Sequence, residues 1–170
     1  MRWSNYQSLY FTTATILDWK HLLKNEACKT IVTYSLRFLW KEERAYIHAF
    51  VVMQNHIHLI WSIPGKNELT DVKAALLSWT AHEFKKLLKV GQPAALEQFR
   101  VDLKDRTYQF WERNAFSFPI YQEAVFYQKL NYIHENPCAE KWGLAPSPEL
   151  YKFSSAYMGY PSAYWPFVSP

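Results

Sequence analysis

The sequence predicts an α+β fold in which helices lie on an antiparallel sheet. Three observations carry this. Runs of strand and helix character follow one another in the order strand, helix, strand, strand, helix, strand, helix. The two middle strands are separated by Gln54-Asn55 alone, which makes them a hairpin, although the usual Asn-Gly is absent. The four glycines, Gly65, Gly91, Gly143 and Gly159, stand far apart, so no glycine-rich phosphate cradle exists. P-loop and dinucleotide-binding folds are thereby excluded.

The elements follow in order. Leu9 to Thr15 is rich in β-formers and reads as a first strand. Leu22, Leu23, Ala27, Ile31, Tyr34 and Leu36 recur at helical spacing. They predict a helix from about Trp19 to Glu42, with Asp18 as its cap. Tyr46 to Met53 and His56 to Ile63 form the hairpin. Pro64, Gly65 and Asn67 then break the chain. Val72, Leu76, Trp79, Phe84, Leu87 and Leu88 place a second helix over Leu69 to Val90, with a partial start signal at Thr70. Gly91 to Arg106 reads as a loop or short helix. Thr107 to Ile120 reads as an aromatic strand with an irregular end, and Gln122 to Asn136 as a third helix. The segment from about residue 146 to 170 is a proline-rich wrapping tail on a single domain spanning 1–170.

Composition narrows the class further. At 170 residues the chain can bury a core without staples. Cys28 and Cys138 cannot build a disulfide framework or a structural zinc site, and they suit a reducing cytoplasm. Met1 to Thr15 holds one Arg and no apolar stretch, and no run of eighteen apolar residues occurs, so no membrane association is expected. The net charge of +4 leans mildly toward polyanions.

Two motifs carry chemistry. On the second hairpin strand, Ile57, Leu59, Trp61 and Ile63 share an apolar face, and His56 and His58 share the other. Side chains two residues apart on a strand sit roughly 6.5–7 Å apart at Cα, close enough for two neutral imidazoles to converge on one metal ion. On the third helix, Phe126, Leu130 and Ile133 form a core stripe. Tyr132 and Asn136 stand one turn apart on a neighbouring face, with Lys129 three residues before Tyr132. Pro137 is expected to push Asn136 out of helical geometry and leave its amide reaching outward.

These segments resemble the HUH single-tyrosine transposases, and within them the REP-associated and insertion-sequence enzymes of bacteria. The stretch from Ala49 to Trp61 resembles the family's His-apolar-His signature, and Lys129 to Pro137 its tyrosine helix. Tyr151 to Ala156 and Trp111-Glu112-Arg113 resemble shorter motifs after and before that helix. Gln54 stands where many members have proline, and Cys138 to Gly143 departs from the usual run. The resemblance implies a ferredoxin-like or RRM-like sheet with the histidine motif on a central strand. It implies Tyr132 as nucleophile and His56, His58 and Asn136 as ligands of a divalent ion, Mg²⁺ or Mn²⁺. It also implies single-stranded or hairpin DNA as substrate, a bacterial cytoplasmic location, and either a monomer or a homodimer with the tyrosine acting in trans.

For Lys129 the residues suggest help to a phenolate or a phosphate contact. Lys85, Lys86 and Lys89 give the second helix a basic side, and Arg100, Lys104, Arg106 and Arg113 follow among aromatics. Such mixtures suit a single strand, whose phosphates need neutralising while its bases stack. Two rival readings stay open. One is a module that binds single-stranded nucleic acid without cutting it, and the other a metal phosphodiesterase that uses water.

Overall fold

The computed structural model describes residues 9–158. The last twelve residues of the predicted tail lie outside that range. Ten elements make up the fold: β1 (Leu9–Thr15), α1 (Glu26–Lys41), β2 (Tyr46–Val52), β3 (His56–Ser62), α2 (Leu69–Gly91), α3 (Pro93–Glu97), β4 (Arg100–Leu103), β5 (Arg106–Tyr108), β6 (Phe116–Pro119) and α4 (Glu123–Glu135). The main sheet has the order β2-β3-β1-β6, antiparallel throughout. This is the arrangement expected of a ferredoxin-like βαββαβ chain. β3 is central, as predicted for the strand with the histidine motif.

β3 is buried along its whole length, so both faces of the sheet are covered. On one face the Trp61 indole donates to Thr12 Oγ1 at 2.9 Å, and Thr12 in turn bonds Ser117 Oγ. Lys73 of α2 donates to that same Ser117 hydroxyl, which fixes α2, with α1 packed against it, on this face. The histidines point to the other face, where α4 lies. No helix among the described residues is long and apolar enough to cross a membrane.

Three elements differ from expectation. The first helix begins at Glu26, not Trp19, and its cap is Asn25, whose side chain accepts from the Ala27 N–H at 2.9 Å. Leu17–Trp19 and Leu22–Lys24 form two 3₁₀ turns instead. Leu23 is wholly buried there and its N–H bonds Gln54 O, so tertiary contacts take over residues with helical spacing. The predicted strand over Thr107 to Ile120 is split between β5 and β6. Trp111 is drawn into the core between them, with its indole donating to Thr80. The region read as a loop or short helix does hold a short helix, α3, but adds a small β4–β5 hairpin.

The tail does wrap. Val52 N–H bonds Phe153 O, Ser155 N–H bonds Phe50 O, and the Ser155 hydroxyl accepts from Phe50 N–H. Residues 153–155 thus lie along the outer edge of β2, satisfying backbone groups that an edge strand leaves bare. Tyr151 anchors them, donating to Val52 O at 2.8 Å and accepting from the buried ammonium of Lys29.

Candidate active site

The hairpin sets the first half of the site. The turn at Gln54-Asn55 starts β3 at His56, so alternation aims His56 and His58 at the same face with ring centroids 4.7 Å apart. Each ring is oriented through Nδ1. His56 Nδ1 donates to the Asn55 amide oxygen at 2.7 Å, and His58 Nδ1 shares a 2.8 Å hydrogen bond with the Thr13 hydroxyl. Asn55 is itself aligned by its amide N–H, which donates to Trp19 O. A ring that donates through Nδ1 carries its lone pair on Nε2. Burial lowers His56 to about 4; nearby Lys141 adds to this, and the adjacent Asn136 side chain opposes it. Burial lowers His58 to about 3, aided by the charges of His56, Lys129 and Lys141. Both imidazoles are therefore neutral at pH 7, the form that binds metals.

The second half comes from α4. Phe126 and Ile133 seat the helix on the sheet, as the stripe predicts. Tyr132 then lies beside His58, with centroids 5.1 Å apart, and edge-on to Phe11 at 6.3 Å. It remains 47% exposed, open to a substrate. Asn136 differs from expectation: it keeps right-handed helical angles (φ −53°, ψ −46°) and is buried, not reaching outward. Pro137 opens a 3₁₀ turn over Asn136–Cys138, where its lack of an N–H does no harm, and Leu144 N–H bonds its carbonyl. The chain turns inward at that point and brings the carboxamide beside His56. All four side chains come from one chain.

No protein-family profile and no curated protein matches this sequence. Solved structures do. A REP-associated tyrosine transposase bound to a REP hairpin superposes over 88% of this chain and 76% of its own, with a TM-score of 0.62 and 18% identity. This chain has the tyrosine-transposase fold. A second similar structure is a proposed transposase from Deinococcus radiodurans R1, with a TM-score of 0.49, 16% identity, and coverage of 81% of this chain and 92% of its own.

Within the tyrosine-transposase fold, the donor set fits a divalent ion. His58 Nε2 and Asn136 Oδ1 are buried and have no hydrogen-bond partner among the described residues. Buried acceptors left unpaired are uncommon and call for a ligand or water. No cluster of three His, Cys, Asp or Glu side chains suited to a metal occurs among the described residues, and the third group beside the two histidines is the Asn136 carboxamide. The Nδ1 bonds to Asn55 and Thr13 are of the kind that orients histidine rings in metal sites.

The predicted basic groups are not brought to this centre. Lys85, Lys86, Lys89, Arg100, Lys104, Arg106 and Arg113 are exposed on α2, the β4–β5 hairpin and the segment beyond it. Several are already paired: Lys86 with Glu83, Arg100 with Glu97 and Asp102, and Arg106 with Asp105. Lys85 sits over the Tyr108 ring, beside an open groove shared with Lys89 and Glu97. Lys129 alone of the predicted cations is at the centre, its ammonium 5.1–5.6 Å from the Phe11, Phe118 and Tyr132 rings.

Lys141 and Trp142 were missed from sequence. Trp142 lies 5.6 Å from the His56 ring and carries the Lys141 ammonium over its own ring at 5.6 Å. A cation–aromatic pair just beyond the helix-ending proline was the available signal. His48, read as structural, is buried and bonds Ser62 Oγ at 2.9 Å. His134 bonds Ser155 Oγ and so ties α4 to the edge segment.

Proposed function

We propose that this protein is a transposase that cuts and rejoins single-stranded DNA at hairpin or palindromic repeats through a phosphotyrosine at Tyr132. The observation that carries the reading is the exposed Tyr132 phenol beside a buried pair of neutral histidines and a carboxamide with unpaired acceptors. The substrate class is carried over from the neighbour of the same fold, which is bound to a REP hairpin.

In this reading Tyr132 Oη attacks a phosphodiester phosphorus. The Oη–P bond forms, the P–O3′ bond breaks, the phenolic proton passes to solvent, and the departing 3′ oxygen takes up a proton. One phosphodiester replaces another, so the step is reversible and a different 3′-hydroxyl can take back the strand. His56, His58 and Asn136 would hold a divalent ion, which would supply positive charge to the phosphate oxygens. All three ligands are neutral, so the ion's charge is undiminished. Imidazole ligands suit Mn²⁺ better than Mg²⁺. Asn55 and Thr13 keep the rings aimed. The tyrosine reaches the histidines within one chain, so attack in cis needs no second copy.

Covalent trapping tests this. A labelled hairpin oligonucleotide is incubated with the protein and Mn²⁺ and resolved on a denaturing gel. The expected result is a protein–DNA adduct that Tyr132→Phe abolishes. Cleavage that persists in Tyr132→Phe assigns the attack to water, and binding without cleavage makes the protein a binding module.

A further inference from the structure

Two ammonium groups stand at the ends of a run of rings that crosses the candidate site. Lys129 Nζ lies 5.5 Å from the Tyr132 ring; Tyr132 meets His58, His58 meets His56, His56 meets Trp142, and Trp142 carries Lys141 Nζ. Neither lysine has a carboxylate partner among the described residues, and, unlike the other unpaired lysines, both stand against rings of the candidate site. Packing like charges around a pocket of neutral ligands is unfavourable unless an anion comes between them. Their placement against aromatic rings holds the long side chains through cation–π contact and leaves their N–H donors unspent.

Resting on the proposed function, we propose that Lys129 and Lys141 are a two-point clamp for the DNA backbone, Lys129 on the phosphate that Tyr132 attacks and Lys141 on a neighbouring phosphate at the His56–Trp142 side. The substrate class this selects is an oligonucleotide carrying at least two phosphates across the centre, not a mononucleotide. Lys141 lies in the stretch that departs from the family pattern. The turn that carries it is fixed by bonds from Trp142 N–H and Gly143 N–H to Ala139 O, with Gly143 at φ +54°.

The salt dependence of binding tests the clamp. For single strands, each neutralised phosphate adds about 0.7 to the slope of log K against log salt. Binding of a fluorescent hairpin oligonucleotide with a single-stranded flank is measured without metal over a range of salt concentrations. The slope is expected to fall by about 0.7 in Lys129→Gln, by about 0.7 in Lys141→Gln and by about 1.4 in the double variant. Lys→Arg at either position restores it, and Lys66→Gln, on the surface pair with Glu43, leaves it unchanged. Circular dichroism confirms that each variant folds. Unchanged slopes in Lys129→Gln and Lys141→Gln, or an equal fall in Lys66→Gln, overturn the clamp. If those slopes are unchanged while the wild type still forms the Tyr132 adduct, the clamp alone fails. If the wild type binds no oligonucleotide, the proposed function fails with it.

Discussion

Acid should weaken this fold through His48 by an amount that can be worked out. Its imidazole is buried in β2 against Ser62, and burial lowers it from 6.5 to about 4. Because the folded value is the lower one, its contribution is fully present above pH 6.5. It is lost as the pH falls toward 4, where the unfolded chain takes up a proton that the folded chain refuses. Between pH 7 and pH 5 the loss is about 2 kcal/mol for this one group. Domains of this kind are stable by roughly 5–15 kcal/mol, so the effect is large enough to measure. The assay is urea unfolding at pH 7 and pH 5, with chelator present, for wild type and His48→Gln. The variant shifts the baseline at both pH values, so the quantity read is the difference between the two pH values. Wild type should lose about 2 kcal/mol more than the variant over that interval. The other histidines are common to both proteins and cancel. Equal losses, within about 0.5 kcal/mol, would refute the argument that this imidazole is held neutral by burial.

Two predictions concern the metal ligands. Saturating Mn²⁺ at about 100 times its dissociation constant should stabilise the protein by about 2.7 kcal/mol, raising Tm by roughly 5–10 °C. Scanning calorimetry should show that rise vanish in Asn136→Ala, and a rise that persists there removes Asn136 from the ligand set. Thr13→Val takes away the partner of His58 Nδ1. It should weaken Mn²⁺ binding about 10–100-fold by isothermal titration while leaving the far-ultraviolet dichroism unchanged, and unaltered affinity would show that Thr13 does not orient the ring.

The sheet and its central hairpin were legible because strand alternation is a strong local pattern. β1, β2 and β3 match the predicted runs to within a residue. The pairing of Tyr132 with the histidines was readable only through the resemblance, because nothing local ties residue 132 to residue 58. What escaped the sequence was decided by tertiary contact. Leu22 and Leu23 sit at helical spacing, yet the core takes them into a 3₁₀ turn. Asn136 stays helical before a proline, which opens a 3₁₀ turn in which Asn136 and Pro137 are both buried. Trp142 looked like one aromatic among many, and only the turn held by Ala139 O sets it against the site.

The order in which the chain leaves the ribosome gives the edge segment a further meaning. The histidine hairpin is complete by residue 62, but Tyr132 and Asn136 come more than sixty residues later, and the segment that covers β2 later still. A nascent or prematurely ended chain therefore holds the histidine pair with no nucleophile and no carboxamide beside it. In the proposed function, attack on DNA waits for α4 to dock, and the Ser155–His134 bond joins that docking to closure of the sheet edge.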